Sequence, residues 1–255
     1  RFSEPVTSGA RCVFEHVYFA NLASNVFGQN VHRAREAMGR QLARESMIDV
    51  NGKKLEVDCV MPLPDSGRSA ALGFAAESGI KFEEGIVLNR FVGRTFLLPN
   101  QGARDQAVDL KFNIIAELVK DRRVVVVDDS IVRGTTTRAK MQALRRAGAK
   151  EIHLRISCPP ISHACYYGID FADPNELLAH NRTIEEIAKY LEVDSLRYLS
   201  LEGMLDCVDV PKNDCCTACW TGSYKIAIDA EPRRSEPIPS ALHRHTGGTP
   251  VPPTL

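Results

Sequence analysis

Four consecutive valines, Val124–Val127, run directly into two aspartates, Asp128 and Asp129. An unbroken β-branched run of that length suits a strand buried on both faces of a parallel sheet. Two adjacent carboxylates cannot share that burial without cost, because their charges repel and desolvation disfavours ionisation. They are therefore expected at the strand's carboxyl end, where open α/β sheets bind ligands. Ser130, Arg133, Gly134, Thr135, Thr136 and Thr137 follow, ahead of a helical pattern. Gly134 permits a tight turn and the threonines offer hydroxyls and a helix cap. Unpaired N–H groups at a helix start suit a phosphate. One stretch thus supplies paired carboxylates, for a metal or sugar hydroxyls, and a phosphate cradle just beyond.

The rest of the chain reads as alternating strands and helices. Strands are predicted at Val13–Ala20, Val57–Met61, Gly85–Asn89 and Glu151–Ser157, beside the valine run. Helices are predicted over Val31–Ser46 with Asn30 as cap, and over Ser69–Ser78, Asp105–Lys120, Thr136–Ala147 and Thr183–Leu191. Gly79 and Gly148 are expected to end two of them. The strands near 57, 85, 124 and 151 alternate with helices, which implies a parallel sheet. His32 and the arginines of the first helix read as a solvated face. Asp65 and Ser66, in a Pro-Asp-Ser-Gly turn before a helix, form a second candidate anion loop.

Composition closes off several classes. The 255 residues carry 32 basic and 32 acidic side chains, so no overall field draws the chain to nucleic acid or an anionic membrane. No apolar run approaches a membrane span and no secretory signal is visible. Neither a GxGxxG nor a GxxxxGK[ST] pattern occurs, so nicotinamide and nucleoside-triphosphate readings lack their motifs. Eight cysteines without a secretory signal point to metal or redox chemistry. The Cys216-Thr217-Ala218-Cys219 pair permits zinc, a redox dithiol or an iron–sulfur cluster. From about Glu231 the chain turns rich in Pro, Ser and Thr and reads as a disordered tail, with His243 and His245 solvated.

The run VVVVDDSIVRGTT resembles the signature of type I phosphoribosyltransferases, and most closely that of the amidophosphoribosyltransferase family. Further stretches are similar: CVFEHVYF, the helix beginning NVHRAREAMG, the PDS loop, NRFVGRTFLLPNQ, RISCPPISHACYYGID, SLEGML and CTACWTGSY. The resemblance covers about residues 11–228. It implies an α/β fold, a type I phosphoribosyltransferase-like parallel sheet flanked by helices, with a cysteine-bearing C-terminal segment. The implied layout is a core over 1–160, a cluster-carrying segment over 161–230 packed on that core, and a tail over 231–255.

The resemblance implies transfer of ammonia onto C1 of phosphoribosyl pyrophosphate, releasing pyrophosphate and giving phosphoribosylamine, the first committed step of purine synthesis. Asp128 and Asp129 would bind ribose hydroxyls and Mg²⁺, and Ser66 would join the metal site. Asp65, Ser66 and a lid bearing Arg90 and Arg94 would lie at the pyrophosphate. Ser130, Arg133, Gly134, Thr135, Thr136 and Thr137 would hold the 5′-phosphate. In the iron–sulfur subgroup a [4Fe-4S] cluster is held by four cysteines, matched here by Cys12, Cys165, Cys216 and Cys219; zinc at the same sulfurs is the alternative. Cys59, Cys158, Cys207 and Cys215 remain as buried thiols.

The family's amino-terminal glutaminase domain is not matched, and the first residue is Arg1. A fragment, a separate glutaminase chain or use of free ammonia is therefore expected. A cytoplasmic homo-oligomer inhibited by purine nucleotides is also implied. Two other readings share the central stretch: a phosphoribosyl-pyrophosphate-binding regulator, and a salvage phosphoribosyltransferase acting on a purine base. The regulator would need a basic nucleic-acid-binding face, and the salvage enzyme would not be expected to have the cysteine quartet.

Overall fold

The computed structural model describes residues 9–47, 54–88, 112–169, 171 and 173–226. The chain begins with β1 (Arg11–Cys12), a wide helical turn at Glu15–Phe19, β2 (Asn25–Val26), β3 (Gln29–Asn30) and α1 (Val31–Ser46). There follow β4 (Cys59–Pro62), α2 (Arg68–Ser78), β5 (Ile86–Leu88), β6 (Phe112–Ile114), α3 (Ala116–Val119) and β7 (Arg123–Asp128). Then come α4 (Thr135–Arg146), β8 (Glu151–Ile156), α5 (Ile184–Leu191), β9 (Ser195–Tyr198), α6 (Leu201–Leu205), β10 (Cys215–Cys216) and α7 (Ala218–Thr221). The residues through Lys225 form one compact unit; residues 226–255 form another, of which Ile226 alone is described.

The central sheet is parallel, in the order β4-β7-β8-β9. Val124–Val127 have no measurable exposure, as a strand covered on both faces requires. Val60 pairs with Val125 on one side and makes a parallel bridge to Phe82 on the other. The chain therefore builds outward from β4 in one direction, then returns to add β7, β8 and β9 in the other. That reversal between β4 and β7 is a topological switch point, where a crevice opens at the strands' carboxyl ends.

Several expectations hold. Asn30 caps α1 by accepting from the Arg33 N–H at 3.2 Å. Gly79 closes α2 in the left-handed conformation at φ +72°. The helix predicted over 183–191 is present as α5, and its start carries a reciprocal Thr183–Glu186 capping box that was not anticipated.

Others are corrected. Val13–Ala20 is not a strand: the Val17 and Ala20 N–H groups donate to the carbonyls of Val13 and Glu15, making a helical turn. Val13 and Val17 are four residues apart and both buried, a helical spacing obscured by the aromatic content. Ile86–Leu88 is extended, but it pairs antiparallel with Phe112–Ile114 in a separate ribbon. Phe112–Ile114 lies inside the predicted helix 105–120. Its Phe-Asn-Ile sequence favours the pleated state, and the described helix there is only Ala116–Val119.

Arg35 was expected on a solvated face. It is buried, donating from Nε to the His16 carbonyl at 2.7 Å and from Nη2 to the Ala20 carbonyl at 3.0 Å. His32 instead meets the Ser69 hydroxyl at 2.9 Å. The predicted lid with Arg90 and Arg94, residues 105–111 of the predicted helix, and the tail with its histidines lie outside the described residues.

Replacing Val126 by threonine keeps the shape but places a hydroxyl in the apolar sheet. Denaturant unfolding of Val126→Thr is expected to show a loss of about 2 kcal/mol.

Candidate active site

β7 delivers Asp128 and Asp129 to the switch point, where they are 6% and 3% exposed. The ladder continues past each strand end. The Leu63 N–H donates to the Val127 carbonyl and the Ser157 N–H to the Asp128 carbonyl. These bonds fix the backbone of the loops after β4 and β8 against the pair. Asp129 donates its N–H to Asp128 Oδ1 at 2.9 Å, and Ser130 donates its hydroxyl to Asp129 Oδ1.

Ser66 comes from the turn after β4, and its hydroxyl lies 3.4 Å from Asp128 Oδ1. Gly67 allows that approach. A Cβ there would sit 2.3 Å from the Val127 carbonyl oxygen, so any side chain would push the turn off the strand.

Burial raises the Asp128 carboxyl, and the charge of Asp129 raises it further, to about 8. Burial also raises Asp129, opposed by hydroxyl hydrogen bonds from Ser130 and Ser66 and by the charge of Arg35. The pair is thus two desolvated acids aimed into a crevice, an arrangement that a cation or a set of hydroxyl donors would relieve.

The cradle stands beside them. Gly134 has φ +77°, and α4 starts at the next residue. The first return bond of the helix runs from the Arg138 N–H to the Gly134 carbonyl. Thr135, Thr136 and Thr137 therefore have N–H groups without helical acceptors, at the positive end of a 12-residue helix. The Leu178 N–H donates to the Val132 carbonyl and holds the loop from behind.

Asp128, Asp129, Ser66, Ser130, Arg133, Gly134, Thr135, Thr136 and Thr137 all line one cleft of about 500 Å³. The Arg133 guanidinium is paired with Glu176. Asp65 does not join the group: it lines a neighbouring cleft of about 230 Å³ with Arg68 and Glu84.

The sequence reading did not single out the apolar wall or Lys140. Phe14, Tyr18, Phe19, Ile169 and Phe171 line the cleft. Phe14 packs against Phe171 and Trp220, with ring centroids 5.8 and 6.0 Å apart. Arg35 holds this wall by binding the His16 carbonyl within the helical turn and the Ala20 carbonyl just after it. Lys140 sits one turn beyond Thr136 and Thr137 on α4; that spacing was the available signal.

The cysteine quartet lies behind the wall. β1 and β10 pair in parallel, setting Cys12 opposite Cys216. The Ser162 and His163 N–H groups both donate to the Cys219 carbonyl, tying the Cys165 loop to α7. Burial raises the Cys219 thiol, and the charges of Cys12, Cys165 and Cys216 each add to that, so all three lie within electrostatic reach of Cys219. Among the described residues, no three His, Cys, Asp or Glu side chains converge on the spacing of a single ion. Cys59, Cys158 and Cys215 are buried, while Cys207 is half-buried; all eight cysteines are unbridged.

No family model matches the chain. Among curated proteins, it is 49% identical over 222 residues to an amidophosphoribosyltransferase of Methanocaldococcus jannaschii, covering 87% of this chain and 45% of that protein. It is 46% identical over 227 residues to the protein of that name from Methanothermobacter thermautotrophicus, covering 89% and 46%. Among solved structures, glutamine phosphoribosylpyrophosphate amidotransferase from B. subtilis, complexed with ADP and GMP, superposes with a TM-score of 0.79 at 43% identity. The match covers 91% of this chain and 50% of that one. The chain spans about half the length of the relatives it matches, and over that half the likeness extends to both sequence and fold.

The raised Asp128 carboxyl has a consequence for stability. Its folded value, about 8, lies above the ordinary 3.8, so the folded state holds this proton more tightly. The associated stability is full below about pH 4 and is lost as pH rises toward 8. In metal-free buffer, Asp128→Asn is expected to gain on the parent between pH 5 and pH 8. Chemical denaturation at both pH values should show a gain of at least about 1 kcal/mol, less than one pKa unit's worth.

Proposed function

We propose that this chain is the phosphoribosyltransferase part of an amidophosphoribosyltransferase, joining ammonia to C1 of phosphoribosyl pyrophosphate. The observation carrying this reading is the placement of two buried carboxylates beside a helix-start cradle in one cleft, in a chain of this likeness. Ammonia brings its lone pair to C1, the bond to pyrophosphate breaks, and the nitrogen then loses a proton. Phosphoribosylamine and pyrophosphate are the products, in the first committed step of purine nucleotide synthesis.

The transition state carries positive charge on the sugar and negative charge on the leaving group. Asp128 and Asp129 face the sugar, fixing its hydroxyls and stabilising its developing charge. The cradle from Ser130 to Thr137 holds the 5′-phosphate through N–H groups and hydroxyls. The wall of Phe14, Phe19 and Phe171 limits water at C1. No side-chain nucleophile is needed.

The donor set suits Mg²⁺: Asp128 and Asp129 provide hard oxygen ligands, with the Ser66 hydroxyl beside them. When bound, the ion offsets the charge of the pyrophosphate. Arg90 and Arg94, outside the described residues, are assigned to the same group by resemblance.

The cysteine quartet suits a [4Fe-4S] cluster. The assignment of the cluster rests on the resemblance, and zinc at the same four sulfurs is the alternative. The cluster would tie β1 to the segment around α7, closing a long loop. The glutamine-hydrolysing partner, a homo-oligomeric state and a cytoplasmic location are part of the same proposal. Among the described residues, no helix is long and apolar enough to cross a membrane.

With ammonia as nitrogen source, Asp128→Asn combined with Asp129→Asn is expected to abolish pyrophosphate release. Near-parental turnover would remove the assignment of the carboxylates. Anaerobically purified parent should show broad visible absorption and about four irons per chain. Cys219→Ser should lose both, whereas Cys59→Ser should keep them; zinc in place of iron would overturn the cluster.

A further inference from the structure

We propose that Lys140 is a further substrate-binding residue, its ammonium holding the phosphate seated at the start of α4. The proposal rests on the phosphoribosyl-transfer reading above and adds a side-chain cation to a cradle otherwise made of backbone and hydroxyls.

Lys140 lies four residues after Thr136 and three after Thr137, so all three share one helical face, and all three line the cleft. Side chains on a helix lean toward its amino end, which directs a lysine in the second turn back toward the cradle. Its Nζ lies 4.4 Å from the centroid of the Phe112 ring, a contact that pins the head group. It is close enough for its charge to act on Asp128.

The neighbouring cations are already engaged. Arg133 pairs with Glu176, and Arg35 binds two backbone carbonyls behind the wall. Lys140 lines the cleft without a carboxylate in ion-pair reach among the described residues. A half-buried ammonium over a ring, beside a concave set of N–H donors, calls for an anion as its partner.

The test uses titration calorimetry on the parent, Lys140→Met and Lys140→Arg, with Mg²⁺ present. The ligands are phosphoribosyl pyrophosphate, ribose 5-phosphate and inorganic pyrophosphate. Lys140→Met should weaken the two sugar phosphates about tenfold, a charged hydrogen bond's worth, and leave pyrophosphate unchanged. Lys140→Arg should stay within about threefold of the parent, and the salt dependence of sugar-phosphate binding should be shallower in Lys140→Met. Should Lys140→Met melt early through loss of the Phe112 contact, Lys140→Gln takes its place with the same expected losses.

Ribose 5-phosphate bound equally by parent and Lys140→Met overturns the proposal and leaves the transferase reading intact. A loss confined to pyrophosphate also overturns it, because the lysine would then serve the leaving group. A parent chain that binds none of the three ligands overturns the transferase reading and this proposal with it.

Discussion

Two carboxylates side by side at the end of a fully buried strand are a constraint that the surrounding structure answers. The strand's apolar faces hold the chain in place, so Asp128 and Asp129 cannot swing away to water. Their repulsion is lessened locally by the Ser130 and Ser66 hydroxyls and by the charges of Arg35 and Lys140. What remains is an acidic focus facing a cradle of N–H donors. A sugar with hydroxyls at one end and a phosphate at the other matches both halves.

The cysteine segment is connected to that focus through packing. Cys12 lies two residues before Phe14, and Trp220 directly follows Cys219. Phe14 touches Trp220 behind the wall and lines the cleft in front of it. The packing of the Cys12 and Cys219 segments therefore also sets the position of an aromatic face of the cleft. Arg35 stabilises the same turn from within α1. Its guanidinium is buried because the turn's carbonyls, which have no strand partner, need a donor.

Where the reading of the chain succeeded, the signal was local. A valine run, an Asn cap and a glycine stop each act within a few residues. Where it failed, a distant partner decided the outcome. Phe112–Ile114 became a strand because Ile86–Leu88 lies alongside it. Ser195–Tyr198 became the fourth strand of the sheet through pairing with β8, across an intervening helix. Arg35, one of several arginines along α1, was drawn inward by carbonyls 15 and 19 residues away.

The sequence alone determined the central strand, its carboxylates, the turn at Gly134 and the start of the helix that follows, because all of these are written in one contiguous stretch. Tertiary structure decided which residues face one another across the cleft. It brought Ser66 to Asp128, left Asp65 in a neighbouring cleft, raised an aromatic wall from residues 14–19 and set Lys140 on the lining of the main cleft. The reason is geometric: strand order and helix rotation set those neighbours, and both follow from the packing of the whole domain around β7.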